Sequence, residues 1–394
     1  MRSAFLLVGA AWFAMMAGSN LATPLYAVYE HEFGFSSAVL TVVFATYALV
    51  LAPSLLVFGQ LSDRLGRRRV LAGGFATATV GLGLFAVAGG LAWLFAARAV
   101  QGLAVGMISG AAAAALVELD PAPDEDRAAL LAALAQAGGS ASGPLVAGLL
   151  AEWAPARLVL PFAIFIVLGI AAVAVALAIP EPNAAAPRHG TQSPADGAAP
   201  RSPLADDAAP SSPPADRAAP PANRAAPPAN RAAPPADGGA PPAPPARARL
   251  IQRPSVPAPI RVLFARVSVT GAAVWATAAL YLSVVPSYAA RLLDTSNLAL
   301  IGAICAAMLI TSCVAQIAAR RRSDHARLQA TGLVLLALGL AALVIAFPAR
   351  SLLVLLASAL LTGAGHGLAF LGAQAQLNLA APSDRRGEVN AAFY

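Results

Sequence analysis

Charged residues are rare in this sequence, and those that interrupt its apolar runs are the ones able to do chemistry. Only 11% of the residues are charged, whereas 58% are hydrophobic. Asp63 stands among several arginines at the end of an apolar run, where a carboxylate can pair and accept charge-assisted hydrogen bonds. Arg98 stands inside another apolar run, where an arginine is costly and usually functional. These residues suggest sites that pair or stabilise charge in an apolar environment.

Patterns that would indicate an enzyme are missing from the sequence. It contains no nucleophile–base pair, no metal-spaced set of His and Cys, and no phosphate-binding glycine loop. Cys305 and Cys313 lie in one apolar segment and are too few for a disulfide framework or a zinc site. We therefore expect neither enzymatic activity, nor a cofactor, nor a metal.

The elements that carry these residues are apolar enough to require a lipid environment. A soluble protein of 394 residues could not bury this much apolar surface. Because lipid offers no partner for unpaired backbone groups, each run of about 20 apolar residues must form a membrane-spanning helix. Ten such runs are predicted, at residues 4–27, 38–61, 70–90, 92–117, 128–152, 158–179, 262–288, 298–319, 328–347 and 351–379.

Arginines in the short loops predict the orientation of these helices. Clusters at residues 63–69, 320–327 and 385–386 should face the cytoplasm, because the loops on the other side carry single arginines or acids. We therefore expect a multi-pass protein of the bacterial cytoplasmic membrane with a cytoplasmic N-terminus. The formal charge of +7 sits in loops and not in a folded patch, so nucleic-acid binding is not expected.

A change of composition divides the chain into three parts. Residues 1–180 hold six predicted spans and should form one bundle, and residues 260–394 hold four spans and the start of a fifth. Between them, residues 181–259 are rich in Ala, Pro and Arg and should be a disordered cytoplasmic linker; a ligand for proline-reading domains is the alternative. The chain ends at Tyr394 within what looks like another apolar helix, so we expect the second bundle to be truncated.

The loop between the second and third spans identifies a family. Gly59-Gln-Leu-Ser-Asp63-Arg-Leu-Gly66-Arg-Arg-Arg69 resembles the signature G-x-L-x-D-R-x-G-R-R/K of the major facilitator superfamily at every defining position. The resemblance implies an all-α membrane protein with two pseudo-symmetric six-helix bundles, of which about ten helices are present here. It also implies a secondary transporter that works by alternating access.

By this resemblance, Asp63 and Arg67 form a charge cluster with Glu118 that latches the two halves in the outward-open state. Gly59 would let a neighbouring helix approach closely, and Gly66 would supply the turn. The alternative is a cluster that only sets topology. The residues assigned to the cluster are Gly59, Asp63, Arg64, Gly66, Arg67, Arg68 and Glu118.

The fourth span carries Arg98-Ala-Val-Gln101-Gly102, which resembles the family's R-x-x-Q-G motif. In the family the arginine of this motif is linked to proton coupling. The following glycines, Gly106 and Gly110, lie on nearly the same face and would form a groove along which the arginine points. The alternative is an arginine that extends toward the membrane interface.

The fifth span resembles the motif G-x-x-x-G-P-x-x-G-G that marks the family's antiporters. Gly139, Gly143, Pro144 and Gly148 match it, and Ala147 replaces one glycine. Glycines four residues apart permit close helix packing, and the proline should kink the helix. An ordinary small-residue interface is the alternative. This is the motif that favours efflux by exchange over symport.

Polar and aromatic residues inside spans are candidates for a substrate cavity at mid-membrane. The candidates are Asn20, Gln136, Trp275, Tyr281 and His366, with Gln101 and Trp12 as further members. A lone tryptophan more often packs or anchors at the interface. His366 could carry a proton or could be a hydrogen-bonded structural histidine.

Together these features predict an exporter of a small molecule that exchanges it for protons. The interior of the first span has no Asp or Glu, so proton coupling is implied by the resemblance alone. A facilitator for a sugar or other metabolite, and a non-transporting sensor or scaffold, are the alternatives. We expect a monomer; the sequence does not identify the substrate.

Overall fold

The computed structural model describes residues 2–121, 125–180, 257–382 and 389, apart from the side chains of Gln60, Asp63, Glu125 and Asp126. The regular structure in these ranges is helical: α1 (Arg2–Ser19), α2 (Ala22–Phe33), α3 (Ser37–Leu65), α4 (Arg67–Ala86), α5 (Leu91–Leu119), α6 (Glu125–Ala133), α7 (Gly139–Trp153), α8 (Leu160–Ala178), α9 (Arg261–Ser283), α10 (Val285–Leu293), α11 (Leu298–Ala319), α12 (His325–Ala349) and α13 (Leu352–Ala380). Nearly all of the predicted linker and the predicted start of a fifth helix after residue 382 lie outside the described residues.

Ten helical segments of the described chain are long and apolar enough to cross a membrane, which confirms the predicted number. Most segments agree with the predicted runs to within a few residues; α11, for example, was predicted at 298–319. The first segment combines α1 and α2, and the fifth combines α6 and α7 with the short stretch between them. The all-helical membrane fold is therefore as predicted.

Two spans are irregular. The first is broken at Asn20 and Leu21, between the end of α1 and the start of α2. The fifth contains one π-helical stretch, Leu134–Gly138, immediately before α7. Single π turns inside α-helices occur frequently at functional sites. Irregular backbone at membrane depth needs partners within the protein, so both places mark positions where other helices supply polar contacts.

Small residues set the closest helix contacts. Gly106 of α5 lies against Ser54 of α3, and Gly365 of α13 lies against Leu336 of α12. A side chain at either glycine would collide with the neighbouring helix. Such positions suit a membrane protein, in which helices associate through close packing and polar contacts because lipid tails are as apolar as leucine.

The first six spans contact the last four at the end of the molecule opposite the α3–α4 loop. There one apolar cluster contains Leu25, Ala147, Leu298 and Ile301, which come from both parts of the chain. Helix α7 lies between α1 and α11 and contacts both. This arrangement makes α7 the element that joins the two groups of helices.

Candidate functional site

The α3–α4 loop contains the residues predicted as a charge cluster. Gly66 ends α3 with a φ of 91°, a left-handed conformation that favours glycine, as the predicted turn requires. Arg67 Nε lies 3.3 Å from Glu118 Oε1, and Arg67 Nη1 donates to Ser62 Oγ at 3.0 Å. The structure therefore brings Arg67 and Glu118 together. The side chain of Asp63 lies outside the described part, and the latch role stays a prediction.

Arg98 is 1% exposed and lies deep in the first group of helices. Its Nε donates to the Tyr26 hydroxyl, and its Nη1 donates to the carbonyl oxygen of Ser19 at 3.0 Å and to Gln101 Oε1 at 2.9 Å. The predicted pair of Arg98 and Gln101 is therefore in direct contact. The alternative interpretation was that Arg98 extends toward the membrane interface, and the structure does not show this.

The first two glycines after Arg98 do not form an open groove in this structure, whereas Gly110 is exposed. Gly102 packs against the backbone of Tyr47, and Gly106 packs against Ser54, so α3 fills the space beside both residues. The guanidinium of Arg98 instead points to α2 and to the end of α1. The glycines thus allow α3 and α5 to approach closely.

The break in the first span gives Arg98 a backbone partner. Ser19 is the last residue of α1, and its carbonyl has no continuing helix to accept from. A cation at the C-terminal end of a helix is favourable because the unpaired carbonyls carry partial negative charge. Asn20, a predicted cavity residue, lies at this break, with its Nδ2 3.2 Å from Ser19 Oγ.

Gln136, another predicted cavity residue, lies in the π-helical stretch before α7. Its Oε1 accepts a hydrogen bond from Trp12 Nε1 at 3.1 Å and one from Ser109 Oγ at 3.3 Å. Residues of three spans therefore meet at one amide group. The sequence indicated Gln136 and Trp12 but gave no signal for Ser109, whose side chain also bonds its own helix.

The helix that resembles the antiporter motif packs on both sides through its glycines. Gly139 and Gly143 lie against the backbone of Phe13 and Ala17 in the first span. Further along α7, a Cβ built on Gly148 would lie 3.2 Å from the Cα of Gly302 in α11. Pro144 lies inside the helix. Its carbonyl oxygen lies so close to Gly302 that a side chain at Gly302 would collide with it.

Two polar contacts join the same groups of helices near this crossing. Glu152 Oε2 accepts a hydrogen bond at 2.8 Å from the backbone nitrogen of Leu298, the first residue of α11. Glu30 Oε1 lies 3.5 Å from Arg291 Nη1 and accepts a hydrogen bond from Ser37 Oγ at 2.7 Å. Sequence reasoning did not predict these pairs, because nothing in the local pattern relates residues so far apart.

The candidates in the second half are not brought together. His366 Nδ1 lies 2.8 Å from Ser312 Oγ, whereas the Tyr281 hydroxyl bonds Ser358 within the core. Trp275 is 42% exposed and packs edge-on against Phe370. Their roles in a cavity stay predictions.

A cleft of about 260 Å³ lies at the end where the two groups of helices meet, and it contains none of the predicted cavity residues. It is lined by Ala27, Val28, His31, Glu32, Arg157, Ala290, Thr295, Ser296, Leu298 and Ile301. Among the residues with described side chains, no group of three His, Cys, Asp or Glu is placed to hold a metal ion.

Comparison with known sequences points to transport proteins. The sequence profile of the Major Facilitator Superfamily matches residues 7–394. The puromycin resistance protein pur8 of Streptomyces alboniger is 34% identical over 139 residues, 34% of this chain and 26% of the relative. The cephamycin export protein CmcT of Amycolatopsis lactamdurans is 32% identical over 163 residues, 40% of this chain and 33% of the relative. The riboflavin transporter RibZ of Clostridioides difficile (strain 630) is 26% identical over 133 residues, 34% and 28% of the two chains. The matched stretch thus spans only about a quarter to a third of each relative's length.

Solved structures share the fold at low sequence identity. The nucleoside transporter NupG is similar with a TM-score of 0.66 and 12% identity, covering 99% of this chain and 86% of that chain. A bacterial homologue of the human lysosomal transporter Spinster, in an inward-facing and unoccupied conformation, has a TM-score of 0.63 and 14% identity, covering 99% and 77% of the two chains.

Proposed function

The chain belongs to the Major Facilitator Superfamily, and we propose that it is a secondary transporter that exports a small molecule in exchange for protons. In this proposal two groups of helices rock about a central site and expose it alternately to each side. The arginine-rich loops face the cytoplasm, and the protein works as a monomer in a bacterial cytoplasmic membrane.

The observation that carries the proposal is the position of α7. This helix has the near-complete antiporter-type pattern, and its glycines contact the first span on one side and Gly302 of α11 on the other. A helix that touches both moving parts through main-chain atoms is suited to couple them. The matches to pur8 and CmcT support export, because those relatives are named for resistance and export.

Proton movement in inside-out vesicles tests the proposal. Vesicles that contain the protein and an acidified lumen would be challenged with puromycin, a cephamycin and riboflavin, followed by sugars and amino acids. We expect one compound to cause proton release. Vesicles without the protein and the Arg98→Ala variant should show no release.

A different result would favour one of the alternatives. Uptake of a labelled compound without proton movement would indicate a facilitator. If inserted, folded protein responds to none of the compounds, the exporter proposal is wrong, and a non-transporting sensor or scaffold becomes the better explanation.

A further inference from the structure

The buried charge of Arg98 is held by neutral groups. Its hydrogen-bond partners are a tyrosine hydroxyl, a backbone carbonyl and an amide oxygen, from Tyr26, Ser19 and Gln101. Its Nη2 is buried and has no hydrogen-bond partner among the described residues. An arginine stays protonated in proteins, so this site carries a full positive charge.

Four aromatic rings surround the same guanidinium. The Arg98 Cζ lies 4.8 Å from the ring centre of Phe44, 5.2 Å from Tyr26, 5.6 Å from Phe85 and 5.8 Å from Tyr47. Ring faces attract cations and thus stabilise the buried charge, but they do not cancel it. The surroundings therefore hold Arg98 in place with dipoles and ring faces, and no described carboxylate neutralises its charge.

No carboxylate with a described side chain lies in the interior of a span. Glu118 and Glu152 are each next to the last residue of their helices, and Glu30 lies in the last turn of α2. The acids that form ion pairs in the described chain do so with arginines near the ends of helices. Among the described residues, Arg98 is therefore a buried charge within a span that has no buried carboxylate beside it.

This charge lies next to the predicted substrate region. Ser19, whose carbonyl accepts from Arg98, precedes Asn20, and the Asn20 amide lies against the Ser19 hydroxyl. We propose that the transport site selects anionic or uncharged molecules and disfavours cations, because no carboxylate among the described residues pairs with Arg98. This inference rests on the proposed transport function and adds the charge class of the substrate to it.

Two probes of the same shape and opposite charge test the inference. Tetraphenylborate and tetraphenylphosphonium binding would be measured by equilibrium dialysis on the full chain in lipid nanodiscs, with empty nanodiscs subtracted. At an effective dielectric constant of about 20, a unit charge about 10 Å away changes the binding of an ion roughly tenfold. Because the same charge strengthens the binding of the anion and weakens that of the cation, we expect the protein to bind the borate in preference to the phosphonium by roughly a hundredfold.

Matched variants separate the buried charge from the total charge. Arg98→Gln should abolish the preference, Arg98→Lys should keep it, and Arg322→Gln, which removes an exposed guanidinium in the turn before α12, should leave it unchanged. Equal binding of the two probes by the unmodified protein, or a preference for the phosphonium, would overturn the inference even if Arg98→Gln fails to fold. The measurement needs no transport, so the exporter proposal could fail independently in the vesicle assay.

Discussion

At the scale of single residues, the hydrogen bonds of Gln136 fix the direction of its amide group. An indole N–H can only donate, so the carbonyl oxygen of Gln136 must face Trp12. The amide nitrogen therefore points away from Trp12 and makes no hydrogen bond among the described residues. If the substrate binds beside Gln136, this amide nitrogen can donate a hydrogen bond to an acceptor atom of the substrate.

The bond between Trp12 and Gln136 should be measurable as stability. Trp12 is 3% exposed, so Gln136→Leu leaves a buried donor without a partner. We expect a loss of about 1–3 kcal/mol in the free energy of unfolding in detergent. Combined with Trp12→Phe, the double variant should lose less than the sum of the single variants. Additive losses would show that the two side chains do not interact.

The sequence predicted some of these residue contacts and missed others for a physical reason. Arg98 and Gln101 belong to one motif whose spacing is visible along the chain, whereas the pair of Arg67 and Glu118 was implied by the family resemblance. The aromatic rings around Arg98 come from three other helices, so no local pattern relates them to it. Contacts of this kind depend on how helices pack.

At the scale of elements, α7 owes its position to glycines that leave no side chain between backbones. Gly148 and Gly302 face each other across the two groups of helices, and the carbonyl of Pro144 lies against Gly302. Because the fit is this close, an added side chain on either helix must push the groups apart. The closed end of the molecule therefore depends on these two positions.

Gly302→Val should open that end. Ala151, buried in the apolar cluster shared by both groups, would serve as the reporter through Ala151→Cys in a background without Cys305 and Cys313. We expect labelling by a membrane-impermeant maleimide to rise several-fold in the variant. Gly83→Val is the matched control, because a Cβ at Gly83 meets no atom within 4 Å. Unchanged labelling of folded Gly302→Val protein would contradict the role given to the contact.

The irregular elements were beyond prediction from sequence. The break at Asn20 and the π-helical stretch around Gln136 lie within continuous apolar runs. Apolar periodicity shows that a helix crosses the membrane but does not report a one-residue change of register. Such a change is decided by the polar groups that neighbouring helices offer to the freed backbone.

At the scale of the whole molecule, the described contacts between the two groups of helices include polar pairs at one end. Glu152 bonds the first backbone nitrogen of α11, and Glu30 pairs with Arg291. The arginine-rich α3–α4 loop lies at the opposite end of the spans. If that loop is cytoplasmic, as the distribution of arginines predicts, these contacts close the outer side.

Paired cysteine substitutions test this orientation. Ser323 lies in the exposed turn before α12, and Ser296 lies in the exposed loop before α11, at opposite ends of one span. In the cysteine-free background, we expect Ser296→Cys to be labelled by an impermeant maleimide in intact cells, and Ser323→Cys only in inside-out vesicles. The reverse pattern would invert the orientation and assign the polar pairs to the cytoplasmic side.

The main-chain contact between Gly148 and Gly302 does not depend on the residues that are candidates for substrate recognition. Its fit is determined by backbone atoms and by the absence of side chains, and not by the identity of any residue around Gln136 or Asn20. If the proposed function is right, substitutions at Gln136 or Asn20 that change which compound is accepted would leave the crossing of α7 and α11 intact. A change of substrate would then require no change at the contact between the two groups of helices.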